Sequence, residues 1–194
     1  MPILYIIAGC NGAGKTTASL TILPEILECK QFVNADNIAY GLSPFDVESV
    51  AIEAAKIMLH RIEELLAEGE TFAIETTLAT RSYVTLVRRA QAMGYTVKVL
   101  YIWLESTELA LQRVSERVKN GGHNIPDDVV ERRYYRGIYN FFKLFMPLCD
   151  GWTFVDNSWN RLNIVGSGKK GFENIIENSD LWASIKKQVY GFQA

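Results

Sequence analysis

The stretch "AGCNGAGKTTAS" at 8–19 gathers residue types suited to holding phosphate. Gly9, Gly14, Lys15 and Thr16 fit the spacing G-x-x-x-x-G-K-[ST]. Glycines in such a loop permit backbone angles that turn successive N–H groups inward onto phosphate oxygens. The run Gly9, Cys10, Asn11, Gly12, Ala13, Gly14, Lys15, Thr16 and Thr17 is therefore the expected nucleotide-binding set. A helix opening at Lys15 aims its positive end at the same charge. Lys15 adds a full charge near the β and γ phosphates, and the Thr16 hydroxyl lies where Mg²⁺ bridges them. The loop follows an apolar strand and opens a helix, the context that separates the motif from a chance match. A look-alike, "VGSGKKG" at 165–171, lacks the first glycine at the right distance and the hydroxyl residue after the lysine. It reads as a solvated turn.

A GTP-binding switch would carry an N-K-x-D guanine reader and a D-x-x-G after its third strand, and neither occurs. A motor-type ATPase commonly ends a strand in Asp, whereas the strand 71–75 here ends in "AIETT". An acid at a strand's carboxyl end lies over the nucleotide crevice of an open α/β sheet. Glu75 in that position serves magnesium or holds an acceptor hydroxyl; the bland alternative is a solvated strand-end acid. In "FVNADNIA", Asp36 sits just past a strand and is placed either to accept the proton of an attacking hydroxyl or to cap a turn or helix. The segment 111–140 carries Arg113, Arg117, Arg132, Arg133 and Arg136 on two helices joined by a polar, glycine-containing turn. That pattern suits a lid bringing positive charge to phosphates on closure. A wet helical face of arginines paired with Glu116, Asp127, Asp128 and Glu131 is the competing reading.

These residues need a frame. Short apolar runs alternate with helical patterns, which predicts a parallel α/β sheet. Expected strands are 3–8, 32–34, 71–75, 96–103 and 152–155; expected helices are 15–27, 47–68 with Asp46 as cap, 82–93, 107–119 and one from Pro126 to before Pro147. The tail 159–194 is the least readable part. With 194 residues, 48% of them hydrophobic, the chain suits one domain over 1–194. A net charge of −2 and the absence of a basic run weigh against nucleic acid as partner. The first apolar run is too short for a signal peptide or a membrane span. Cys10, Cys29 and Cys149 have no CxxC spacing, so neither zinc nor a disulfide framework is expected and a cytoplasmic location is.

Taken in order, "GCNGAGKTT", "FVNADNIA", "FAIETTLATRSY", "VKVLYIWLES" and "RVKNGGHNIPDDVVERRYYR" resemble the small bacterial zeta-toxin-like proteins. These are P-loop kinases related to the zeta toxins of toxin–antitoxin pairs and, more distantly, to chloramphenicol phosphotransferase. The resemblance runs from Ile3 to about Ser158. It implies a P-loop NTPase fold: a three-layer kinase-type core with five parallel strands in the order 2-3-1-4-5 and a helical lid over about 113–136. The best-known members use ATP to phosphorylate a hydroxyl of UDP-N-acetylglucosamine. Carried over by motif, Lys15 and Thr16 hold ATP and Mg²⁺, Asp36 is the base, and Glu75 and Thr77 hold the acceptor side. Arg113, Arg117 and Arg133 steady the phosphoryl group, with His123 sharing that role; the "GGHN" lid departs from that of larger relatives. No segment looks like a fused antitoxin, and the resemblance implies an antitoxin protein as a partner.

The expectation is an ATP- and Mg²⁺-dependent kinase acting on a hydroxyl of a small molecule, with a nucleotide sugar favoured by resemblance. The alternatives are a kinase of another small molecule such as an antibiotic, a polynucleotide end kinase, and a nucleotide-binding module without catalysis.

Overall fold

A computed structural model describes residues 1–122, 124–159 and 161–191. Strand β1 (Ile3–Ala8) shows why its sequence is apolar throughout. Leu4, Ile6 and Ala8 point into one buried cluster, while Tyr5 and Ile7 point into another on the opposite face. A strand covered on both sides has no face left for polar residues.

Helix α1 (Lys15–Thr21) opens directly after Gly14 and widens into a π-helical turn, Ile22–Ile26. Pro24 lies in that turn and has no N–H for an ordinary helical bond, which explains the loss of α geometry before the expected end at 27. After β2 (Gln31–Val33) comes α2 (Ala35–Leu42), a helix that sequence periodicity did not reveal. The long helix α3 (Ala51–Glu68) starts later than expected. Asp46 caps a turn ahead of it, its Oδ1 accepting from the Ser49 N–H at 3.3 Å. Gly69, at φ 68°, closes the helix.

Next come β3 (Phe72–Thr76), α4 (Tyr83–Ala92), β4 (Thr96–Trp103) and α5 (Thr107–Lys119). Ser106 caps α5 by accepting from the Leu109 N–H at 3.2 Å. Helix α6 (Asp127–Asn140) runs into a second π-helical turn, Phe141–Phe145, and the short α7 (Met146–Leu148). The chain ends with β5 (Gly151–Asp156), β6 (Asn163–Lys169), β7 (Ile175–Ile176) and α8 (Ser179–Gly191).

The sheet corrects the expectation of five parallel strands. Among the described residues it has seven strands in the order β2-β3-β1-β4-β5-β6-β7 and is mixed. Strands β1 to β5 pair in parallel, and β6 and β7 are added antiparallel. The extra strands come from the tail, and the solvated turn expected at 165–171 is mostly β6. Its glycines hide the strand signal because they serve close packing. A Cβ on Gly168 would lie 2.5 Å from Trp152 Nε1, and one on Gly166 would lie 2.9 Å from Ile176 Cδ1. Trp152 thereby stacks on Trp182 of α8 with ring centroids 5.4 Å apart.

Helices α3, α4, α8 and the end of α6 cover one face of the sheet, and α1, α5 and the first half of α6 cover the other. The segment expected as a lid is anchored in this core: Val114, Ile125, Val130 and Tyr134 are all buried. Cys10, Cys29 and Cys149 are free and buried. No helix among the described residues is long and apolar enough to cross a membrane.

Candidate active site

The phosphate loop is shaped by its glycines. Gly9, Gly12 and Gly14 have φ of 147°, 79° and 83°. Space is equally short: a Cβ on Gly9 would sit 2.2 Å from the Ile102 carbonyl oxygen and one on Gly12 would sit 2.7 Å from that of Ala110. The loop is thus pressed against β4 and α5 and has no room for side chains at these positions. Asn157, just past β5, fixes it from the far side by donating from Nδ2 to the Ala13 carbonyl at 2.9 Å.

Lys15 is buried within the loop it serves. Its ammonium donates to the Cys10 carbonyl at 2.9 Å and lies 3.8 Å from Glu75 Oε1. The Thr16 hydroxyl donates to Glu75, 2.9 Å from Oε2 and 3.2 Å from Oε1. The expected magnesium residues are therefore in contact, joining the start of α1 to the end of β3. A hydroxyl and a carboxylate are hard oxygen donors. Two such ligands, completed by phosphate oxygens and water, suit Mg²⁺. Thr17 faces outward, next in the same helix. Burial pushes the Cys10 thiol up to about 11, so this residue contributes its backbone to the loop and its side chain remains a neutral packing group.

Asp36 lies in the first turn of α2 and faces the crevice, but it is not the cap. Asn34 is: its Oδ1 accepts from the N–H groups of Asp36 at 2.8 Å and Asn37 at 3.2 Å. That frees the Asp36 carboxylate from the capping role weighed for it. Arg133 reaches the loop from α6, donating from Nη1 to Asn11 Oδ1 at 3.2 Å. Burial draws the Arg133 guanidinium down from its ordinary value, and the charge of Asp36 opposes that shift.

Lys15, Asp36, Glu75, Thr77 and Arg133 line one cavity of about 630 Å³. It extends away from the phosphate loop between α3 and α4, where Met58, Ile62 and Leu86 form an apolar wall and Thr80, Ser82 and Tyr83 add hydroxyls. The cavity has room for a second reactant beside the phosphates.

The other two arginines stand apart from it. Arg113 donates from Nη2 to the carbonyls of Asn157 at 2.9 Å and Ser158 at 3.0 Å. It steadies the segment that anchors the phosphate loop. Arg117 is in the last turn of α5, where its carbonyl accepts from the Gly122 N–H at 2.9 Å. Neither side chain lines the cavity. His123 lies outside the described residues. Asn157 and Asn34 were missed in the sequence, although both obey the strand-end rule that singled out Asp36 and Glu75.

A phosphate loop between β1 and α1, an acid at the end of β3 and a basic helix over the crevice define a P-loop kinase-type fold. The chain belongs to the zeta toxin family, whose profile matches residues 1–144. An uncharacterised protein of Haemophilus influenzae (strain Rd) is 29% identical over 126 residues, covering 65% of this chain and 88% of that protein. The crystal structure of AvrRxo1-ORF1:AvrRxo1-ORF2 with sulphate ions superposes at a TM-score of 0.76 with 19% identity over 95% of this chain. This chain spans 63% of the length of that one. The PezAT chromosomal toxin–antitoxin system of Streptococcus pneumoniae superposes at 0.68 with 17% identity, over the whole of this chain and 80% of the other.

Proposed function

We propose that this protein is a kinase that moves the γ-phosphoryl group of ATP to a hydroxyl of a small molecule. The observation that carries this reading is that Lys15, Glu75, Asp36 and Arg133 line one cavity, which extends from the phosphate loop along an apolar wall. Lys15 and the N–H groups of the loop bind the phosphates. Thr16 and Glu75 would hold Mg²⁺, which neutralises charge on the β and γ phosphates when bound. Glu75 and Thr77 border the acceptor. Its hydroxyl oxygen bonds to the γ phosphorus as the bond from that phosphorus to the ADP oxygen breaks. The hydroxyl proton passes to Asp36, and Arg133 offsets the charge spread over the moving group.

UDP-N-acetylglucosamine is the acceptor that family membership favours. Membership and the likeness to PezAT also support a separate antitoxin protein as partner. The test is incubation with γ-labelled ATP, Mg²⁺ and either UDP-N-acetylglucosamine or a bacterial metabolite extract, followed by identification of the labelled product. Lys15→Ala is run in parallel. A labelled small molecule formed by the wild type and not by Lys15→Ala is expected; label appearing only as inorganic phosphate, or no turnover, overturns the kinase reading.

A further inference from the structure

Arg133, Gly137 and Asn140 are spaced four and three residues apart, so they lie along one face of α6. Each touches the catalytic crevice or the chain that leads out of it. Arg133 bonds Asn11 of the phosphate loop. Gly137 brings the helix backbone against the Thr77 carbonyl: a Cβ there would lie 2.4 Å from that oxygen and 3.2 Å from Tyr101 Oη. Asn140, 4% exposed, donates from Nδ2 to the Leu78 carbonyl at 2.7 Å.

The Leu78 turn needs such support. Leu78 is fully buried with φ 54°, a conformation that side-chain-bearing residues rarely adopt. Its N–H bonds Thr76 Oγ1 at 3.1 Å, and its carbonyl has the Asn140 amide as partner. Glu75 and Thr77 stand immediately before this turn.

We propose that this face of α6 is a strut: Gly137 and Asn140 are positioning residues that set the acceptor-side segment 75–78 at a fixed distance from the phosphate loop gripped by Arg133. The proposal rests on the kinase reading for its role in transfer. A nucleotide drawing on Arg133 thereby restrains the acceptor side through the same rigid helix.

Two variants probe the strut. Ordinary contact begins at 3.4 Å, so Gly137→Ala forces helix and segment apart by about 1 Å, a misplacement that costs roughly 10²-fold in rate. Asn140→Ala removes the side-chain support without adding bulk, and it stands if Gly137→Ala fails to fold. Both are measured for binding of the Mg²⁺ complex of a non-hydrolysable ATP analogue, for melting temperature, and for transfer to the acceptor identified with labelled ATP. Amide hydrogen exchange is followed separately over residues 9–17 and 76–80, with and without the analogue.

The expected result for Asn140→Ala is analogue affinity within about threefold of wild type and transfer reduced by about 10- to 100-fold. The analogue should slow exchange in both segments of the wild type, but only in 9–17 of the variant. Transfer at the wild-type rate, or analogue protection of 76–80 retained in folded variants, overturns the strut. A parallel fall of melting temperature, analogue affinity and transfer overturns it too, in favour of a purely structural role. If the wild type transfers phosphate to no acceptor yet shows the exchange coupling, the kinase reading fails and the strut stands.

Discussion

Replacing Asp36 with Asn separates a base from a helix cap, because the structure assigns the cap to another residue. Asn34 Oδ1 accepts from the backbone N–H groups of Asp36 and Asn37, and both bonds survive the substitution. What the variant loses is one negative charge in the first turn of α2, worth about 0.3–1 kcal/mol. A domain with a typical stability of about 5–15 kcal/mol stays folded after that loss. Removal of a general base lowers transfer by about 10²- to 10⁴-fold. At 1.36 kcal/mol per decade this raises the barrier by about 2.7–5.4 kcal/mol, well beyond the stability change. MgATP affinity should hold or rise slightly, since a negative charge near Arg133 and the terminal phosphate is gone. The assay is single-turnover transfer to the identified acceptor at saturating MgATP, with melting temperature and nucleotide affinity measured alongside. Transfer by Asp36→Asn at the wild-type rate would refute the base assignment and leave Asp36 as a bystander in the crevice.

Glu75→Gln removes one of the two carboxylate oxygens that face Thr16 and Lys15, and should weaken MgATP binding about tenfold, roughly the value of one charge-assisted bond, with partial recovery in excess Mg²⁺. Calorimetric titration over a range of Mg²⁺ checks this, and unchanged affinity removes Glu75 from the proposed metal site. Asn157→Ala deletes the bond to the Ala13 carbonyl; ATP affinity should fall by about 5- to 10-fold, matching about 1 kcal/mol for one hydrogen bond. Equal affinities in variant and wild type would show that the loop holds its shape without this anchor. The Cys10 thiol, pushed up to about 11 by burial, should alkylate with iodoacetamide far more slowly at pH 8 in the native protein than in urea. Because the shift is upward, the native rate should climb as pH approaches 11; peptide mapping of modified Cys10 measures it, and rapid native labelling at pH 8 contradicts the buried, neutral state.

Local spacing made the phosphate loop legible. Gly9 to Thr16 forms a continuous structure whose glycines answer to backbone angles, and a short stretch of sequence encodes those angles directly. The same locality made β1, β3 and β4 readable, together with the placement of Glu75 at the end of β3 and of Asp36 just past β2. Hydrophobic periodicity failed where packing overrode it. Strand β6 carries Gly166 and Gly168 because Trp152 and Ile176 press on it, so its composition imitates a turn. Helix α2 is too short for periodicity to show, and Asn34 rather than Asp36 caps it. Which arginine enters the cavity was a tertiary decision: Arg113, Arg117 and Arg133 look alike in sequence, yet only Arg133 among these three lines it. The rotation of α6 is set by Val130, Tyr134 and Ile138 in the core, and that rotation aims Arg133 at Asn11 and seats Gly137 and Asn140 against the chain after β3. A charge pattern along one helix leaves such an angle undetermined, because burial of the adjoining positions sets it.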